Sequence, residues 1–392
     1  MWFYKRKTIV DEEKIEEILS RGVAAVYPSP EFLRGELRSG KRLRLYWGID
    51  PTGPTLHLGH AVILRKLKLF QELGHEVILL IGDFTAMIGD PTDKTATHRR
   101  LSRKEVLRNA RLYKFQASKF LSFSGAHSAV VKYNASWLGK MKFEDALNVA
   151  THMTVDHLMK RDMFHVRTQE GKPIYLHEFL YPLMQGYDSV AMNVDGELGG
   201  NDQTFNMLEG RALSKQLKQK EKFVLATKLL TDSSGKKMGK TEGNTLTFLD
   251  SPEEMVGKVM SWSDELISSG FELCTGISLK ELGRIEEGIR QGGNPRDAKL
   301  RLAETIVGEF YGTDAAGRAV ETFIKTFSEG AVPEHIPEVS VSAGATVGEA
   351  LSEHSASKSE LRRLVEAGAV EEVGGKKFTR TDERIHATMV VR

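Results

Sequence analysis

Between about residues 43 and 230, short, wholly apolar runs alternate with longer stretches whose apolar residues recur at helical spacing. A strand that is apolar along its length needs both faces covered. Strands alternating with helices therefore point to a parallel sheet with crossover helices. The runs 43–49, 77–81 and 223–230 read as strands. Leu198-Gly199-Gly200-Asn201-Asp202-Gln203 reads as the end of another, passing into a helix. The expected fold class is α/β, a Rossmann-like parallel sheet, with a mostly helical insertion at about 120–190. Ligands in such sheets bind at the carboxyl ends of strands.

After Leu246 the pattern changes. Ser251-Pro252-Glu253-Glu254 is a capping box with proline at the first helical position, and helical patterns continue to about 327. Gly330-Ala331-Val332-Pro333 and Pro337 mark a linker. The tail offers a helix at about 358–367, then a hairpin turned by Gly374-Gly375. The expected division is a catalytic domain at 1–245, a helical domain at 246–332, and a linker with a small α+β module at 333–392.

Lysine and arginine number 55 against 53 acidic residues, so no global field announces a polyanionic partner. The distribution is more telling. Lys94, Arg99, Arg100, Arg103, Lys104, Arg108, Arg111, Lys114 and Lys119 face only Glu105 within 94–119. Such a run is usually a solvated helix face, but its density suggests a nearby polyanion. Cys274 is the only cysteine, which excludes disulfides within the chain and cysteine-rich zinc sites. No signal-peptide core or membrane-length apolar run is apparent, and a cytoplasmic location is expected.

Two short segments carry chemistry. His57-Leu58-Gly59-His60 follows the first apolar run and the turn Asp50-Pro51-Thr52-Gly53-Pro54, and it opens a helical pattern that stops at Gly74. The glycine admits a nucleotide close to the backbone, and the helix N-terminus offers free N–H groups to phosphate. Lys237-Met238-Gly239-Lys240-Thr241 places two ammonium groups within one turn of each other, suited to the charge on a departing polyphosphate. Alone, each is more often a helix cap or a solvated loop. Both in this order point to a site for ATP.

The two segments resemble the HIGH and KMSKS signatures of the class I aminoacyl-tRNA synthetases, with Gly239 and Thr241 in place of the two serines. Further groups lie in the same region: Tyr46, Thr85 to Pro91, and Tyr181-Pro182-Leu183-Met184-Gln185-Gly186-Tyr187-Asp188. Positions 181, 185 and 188 share one helical face. A phenol, an amide and a carboxylate on one stripe are equally compatible with a wet polar face. With Gly-Gly-Asn-Asp-Gln downstream, the combination is similar to the tyrosyl-tRNA synthetases over nearly the whole chain.

That resemblance implies a set of roles. Tyr46 and Asp188 would hold the phenolic hydroxyl of L-tyrosine. Asp90, Tyr181 and Gln185 would bind its α-amino group, with Thr85 and Gln203 lining the pocket. Gly48, Asp50, Thr52 and Gly59 belong to the ATP-binding turn, with His57 and His60 beyond. Gly200 and Asp202 would face the adenosine. Lys237, Lys240 and Thr241, with Lys94, would hold the β- and γ-phosphates of ATP, which enters with Mg2+. Lys358, Arg362, Arg363, Lys376 and Lys377 would contact structured RNA. The partners implied are tRNA(Tyr), L-tyrosine, ATP and a second copy of the chain, joined through the insertion around 130–170. Glu197 stands where relatives often carry glutamine; it either helps with the ammonium or is structural.

Three other readings share some of these features. A tryptophan-specific relative has the same architecture, but the paired Tyr46 and Asp188 argue against it. A non-catalytic RNA-binding relative would be expected to lose His57, His60, Lys237 or Lys240 first. An unrelated nucleotidylyltransferase would have no need of the C-terminal helices.

Overall fold

The computed structural model describes residues 8–91, 101–231, 245–328, 340–342, 344–352, 357–372, 375–386 and 391. The chain divides into two compact units, 1–313 and 314–392.

The first unit is built on six strands, β1 (Val23–Tyr27), β2 (Arg44–Ile49), β3 (Glu76–Ile81), β4 (Val130–Tyr133), β5 (Gly196–Gly200) and β6 (Phe223–Thr227). Their order across the sheet is β1-β6-β5-β2-β3-β4. Neighbours from β6 to β4 run parallel, whereas β1 is antiparallel to β6. The sheet is thus mixed, not wholly parallel as the sequence suggested. β1 is an edge strand with one buried residue among five; its sequence, Val23-Ala24-Ala25-Val26-Tyr27, is apolar throughout but lies before the 43–230 span of alternating strands and helices. β4, at the opposite edge, has none buried, and it lies inside the segment expected to be mostly helical. By contrast β5 and β6 are buried throughout, and β3 is buried apart from Glu76. The strand expected at 223–230 ends at Thr227.

Helix Leu58–Glu72 joins β2 to β3 and stops before Gly74, whose φ of 89° suits glycine. Helix Leu176–Met192 leads into β5, and helix Thr204–Lys218 joins β5 to β6. The connection order reverses between β2 and β5, which opens a crevice at their carboxyl ends. Tyr46 and Glu197 pair in register across that junction.

Helices Pro252–Met260, Leu266–Cys274, Leu279–Arg290 and Pro295–Tyr311 belong to the same unit. The capping box forms as expected: Glu254 N–H donates to Ser251 Oγ at 3.2 Å and Ser251 N–H to the Glu254 carboxylate at 2.7 Å. Arg21, beside β1, is buried and donates to the carbonyls of Phe271, Glu272, Thr275 and Ile277 around the end of helix Leu266–Cys274. Those carbonyls have no intrahelical donor, so one guanidinium caps the helix and ties it to the sheet. Cys274 is fully buried there, and burial pushes its thiol up to about 12.

In the second unit Val347, Leu361, Val365, Val370 and Phe378 form a small core. Helix Lys358–Glu366 contributes two of them. A hairpin follows, with Glu372 N–H donating to Lys376 O and Phe378 N–H to Val370 O, both at 2.9 Å. Gly374 and the linker residues 330–337 lie outside the described residues.

Candidate active site

β2 ends at Ile49, and the chain turns through Asp50 to Pro54 before helix Leu58–Glu72 begins. Thr52, exposed on that turn, closes it by donating its N–H to Asp50 O at 2.8 Å. His57 caps the helix, its N–H donating to His60 Nδ1 at 3.1 Å, and the two rings stack with centroids 3.7 Å apart. Both imidazoles thus face the same way on the first turn. A Cβ on Gly59 would lie 3.1 Å from the His57 ring, so the glycine lets that ring lie close over the first turn.

The turn is held from outside by side chains of two short helices, Arg103–Ala110 and Tyr113–Ala117, that the sequence reading did not single out. Asn109 Nδ2 donates to Pro51 O at 2.9 Å, Tyr113 Oη to Gly53 O at 2.6 Å, and Gln116 Nε2 to Pro54 O at 3.0 Å. Leu56 N–H in return donates to Gln116 Oε1 at 2.7 Å. The spacing of four and then three was visible, but its partners were not. Arg103, Lys104, Arg108, Arg111, Lys114 and Lys119 of the same segment are exposed.

Of the second signature, Lys237, Lys240 and Thr241 lie outside the described residues, as does Lys94. The chain that follows it is well placed. Leu58 N–H donates to Leu246 O at 2.9 Å and Phe248 N–H to Leu56 O at 3.0 Å, so residues 246–248 run alongside the first signature.

Helix Leu176–Met192 turns its polar stripe inward, not to water. Tyr181 Oη donates to Asp50 Oδ2 at 3.0 Å and Thr85 Oγ1 to Asp50 Oδ1 at 2.6 Å. Burial raises the Asp50 carboxyl to about 7; the two hydroxyls offset this in part and the charge of Asp90 adds to it. A Cβ on Gly82 would fall 1.9 Å from Asp50 Oδ1, so only glycine leaves room for this arrangement. Asp188 is buried and accepts from Trp137 Nε1 at 2.7 Å and Asn134 Nδ2 at 3.2 Å. Burial holds its carboxyl well above the usual range despite those donors. Asn134 Nδ2 also lies 3.0 Å from Thr85 Oγ1, which links the two carboxylates.

Asp90 accepts from Gln203 Nε2 at 2.7 Å, and Gln203 Oε1 from Asn206 Nδ2 at 3.1 Å. Gln185 Nε2 donates to Glu197 Oε1 at 3.3 Å, while Gln185 Oε1 is enclosed with no hydrogen-bond partner among the described residues. Tyr46 is fully buried, its hydroxyl 2.9 Å from Ser189 Oγ. Gly48 is the one exposed position of β2. Gly200 ends β5, where a Cβ would lie 2.6 Å from Asp202 Oδ1 and 2.8 Å from Leu229.

The structure therefore gathers Tyr46, Asp50, Thr85, Asp90, Tyr181, Gln185, Asp188 and Gln203 at one crevice beside His57 and His60. It adds Asn134, Trp137, Ser189 and Lys222. Asn134 and Trp137 follow the carboxyl end of β4, so they become legible only once that edge strand is known.

The family model described as tRNA synthetases class I (W and Y) matches residues 38–328. The chain belongs to this family. Among relatives of this class I synthetase is tyrosine–tRNA ligase 2 of Vibrio parahaemolyticus, 44% identical over 361 residues covering 91% of this chain and 90% of that protein. Tyrosine–tRNA ligase of Moorella thermoacetica is 42% identical over 392 residues, 98% and 93% of the two chains. The fold is shared with the C-terminally truncated mitochondrial tyrosyl-tRNA synthetase of Aspergillus nidulans, at a TM-score of 0.69 and 22% identity over 81% of this chain and 95% of that one. It is shared too with the tyrosyl-tRNA synthetase of Archaeoglobus fulgidus complexed with L-tyrosine, at 0.63 and 23% over 79% and 99%.

In the second unit Arg362 pairs with Glu366 at 2.7 Å, Lys376 with Glu383 at 2.7 Å and Lys377 with Glu371 at 3.9 Å. Arg363 is exposed, and the side chain of Lys358 lies outside the described residues.

Proposed function

We infer that the protein is a tyrosine–tRNA ligase. It joins L-tyrosine to the α-phosphate of Mg-ATP, releases pyrophosphate, and passes the tyrosyl group to the terminal adenosine of tRNA(Tyr). The observation that carries this reading is the buried Asp188 carboxylate on the inward stripe of helix Leu176–Met192, with Tyr46 on the neighbouring strand. A hydroxyl-bearing ligand satisfies such groups, and one lacking the hydroxyl leaves them unpaired. Rejection of phenylalanine by tyrosyl-tRNA synthetases is the standard illustration of this effect.

Asp90 and the Gln185 oxygen, which has no partner among the described residues, supply with Tyr181 the acceptors for the substrate ammonium. The substrate carboxylate is itself the nucleophile, so the protein contributes positioning and charge stabilisation. His57, His60 and the helix N-terminus take the phosphates, Asp50, Thr52, Gly48 and Gly59 shape the turn, and Gly200 with Asp202 meets the adenosine. Lys94, Lys237, Lys240 and Thr241 are assigned to the β- and γ-phosphates.

The helices of 246–332 are proposed to receive the anticodon stem, and Lys358, Arg362, Arg363, Lys376 and Lys377 to meet tRNA phosphates. Phe143, Leu147, Val155, Tyr175 and Leu176 expose apolar side chains within and just beyond the insertion, which supports a homodimer formed there. The cytoplasm is the proposed site of action.

Exchange of labelled pyrophosphate into ATP, with each of the twenty amino acids in turn, tests the reading. Exchange with tyrosine alone is expected. Exchange with tryptophan, or with none, would overturn it.

A further inference from the structure

Glu197 and Lys222 form an ion pair sealed inside the molecule: Lys222 has no exposed surface and Glu197 is 2% exposed. A buried pair is poor evidence for stability, because desolvation offsets much of the attraction. Its position is more informative. Glu197 lies in β5 beside Tyr46 of β2, and Lys222 immediately precedes β6.

The pair touches both ends of the amino-acid pocket. An ammonium can only donate and a carboxylate can only accept, so each fixes the polarity of the neutral groups around it. Lys222 Nζ donates to Ser189 Oγ at 2.8 Å. Ser189 keeps one proton of its own, with Tyr46 Oη at 2.9 Å and Glu197 Oε2 only at the 3.5 Å limit. The shorter contact takes it. Tyr46 then accepts from Ser189, and its own proton, which also has the Glu197 carboxylate within reach, can turn to a phenol in the pocket.

At the other end, the Glu197 carboxylate requires the amide nitrogen of Gln185 to face it, at 3.3 Å. The Gln185 oxygen must therefore face away, and it is the buried oxygen that lacks a partner among the described residues.

We propose that the Glu197–Lys222 pair sets the hydrogen-bond direction of the tyrosine pocket. Donation runs from Lys222 through Ser189 and Tyr46 to the substrate phenol oxygen, and the phenol proton goes to Asp188. Glu197 meanwhile turns the Gln185 oxygen toward the substrate ammonium. Glu197 and Lys222 are positioning residues, acting through Tyr46 and Gln185. The inference rests on the tyrosine-activating reading.

The test compares wild type with the double variant Glu197→Gln/Lys222→Met, which removes both charges and strands neither. Tyrosine-dependent and phenylalanine-dependent pyrophosphate exchange are measured in each, together with the KM for ATP. The expected result is a rise of about tenfold in the tyrosine KM and a smaller loss in phenylalanine exchange, which shares the ammonium contact but not the phenol contact, with kcat for tyrosine and the ATP KM within about twofold. Ser189→Ala should lower the tyrosine-to-phenylalanine ratio alone, and add less than its own effect in the double variant. An unchanged ratio in the folded double variant, or full additivity of Ser189→Ala, overturns the proposal. Should the double variant not fold, Ser189→Ala alone decides, because an undisturbed ratio there breaks the chain to Tyr46. Wild type showing no tyrosine-dependent exchange would instead sink the underlying reading.

Discussion

Burial raises the Asp50 carboxyl far above its ordinary range, and two measurable effects follow. Its carboxyl is raised from 3.8 to about 7, so the folded protein binds that proton more tightly than the unfolded chain does. The stabilisation this gives is complete below about pH 4 and is lost as pH rises through 7. Asp50→Asn should therefore melt higher than wild type at pH 8, by on the order of 1 kcal/mol, and gain nothing near pH 4. The same variant should lose exchange activity by about a hundredfold or more, since Asn cannot supply the carboxylate. Thermal melts at the two pH values and a pyrophosphate-exchange assay check both halves. Asp188→Asn addresses specificity instead. Tyrosine kcat/KM should fall by about a hundredfold while phenylalanine exchange and ATP KM hold; equal losses for both amino acids would remove Asp188 from the phenol subsite.

At the scale of elements, the turn 50–57 depends on two short helices with no chemistry of their own. Tyr113→Phe deletes the bond to Gly53 O. It should cost about 1 kcal/mol in denaturant unfolding and raise the ATP KM several-fold, with tyrosine KM unchanged. This clamp marks the limit of what the sequence disclosed. Helix Leu58–Glu72 and its stop were legible, because helical period and a terminal glycine are local signals. The stripe of Tyr181, Gln185 and Asp188 was legible as a stripe, but not as inward-facing, since a polar face reads alike wet or buried. β1 and β4 were missed although Val-Ala-Ala-Val-Tyr and Val-Val-Lys-Tyr are largely apolar, because runs of five and four residues are too short to separate strand from helix by period, and one precedes the alternating span while the other sits among helical patterns. Lys222 carried no signal at all: beside Glu221 and Lys220 it looks like a solvated charge, and only register with β5 buries it.

The first unit holds together across sequence distance through few, dense joints. Arg21 spans about 250 residues to reach four carbonyls around the end of helix Leu266–Cys274. Nearby, Arg65 donates to Cys274 O at 2.8 Å and pairs with Glu309 at 2.5 Å. Arg21→Met should preserve much of the side-chain volume yet take the donor from the carbonyls of Glu272, Thr275 and Ile277, Phe271 O keeping the Thr275 hydroxyl at 2.7 Å, and so lower stability by roughly 2–4 kcal/mol in urea titration. A loss below about 0.5 kcal/mol would show that the joint contributes little.

That joint also encloses the only sulfhydryl in the chain. A thiol with a pKa near 12 holds almost no thiolate at neutral pH, and maleimides and peroxides react with the thiolate. The native protein is thus close to silent toward such reagents while folded. A cysteine introduced at an exposed position, such as Arg363 in the second unit, would take a fluorophore alone, with no background to engineer away.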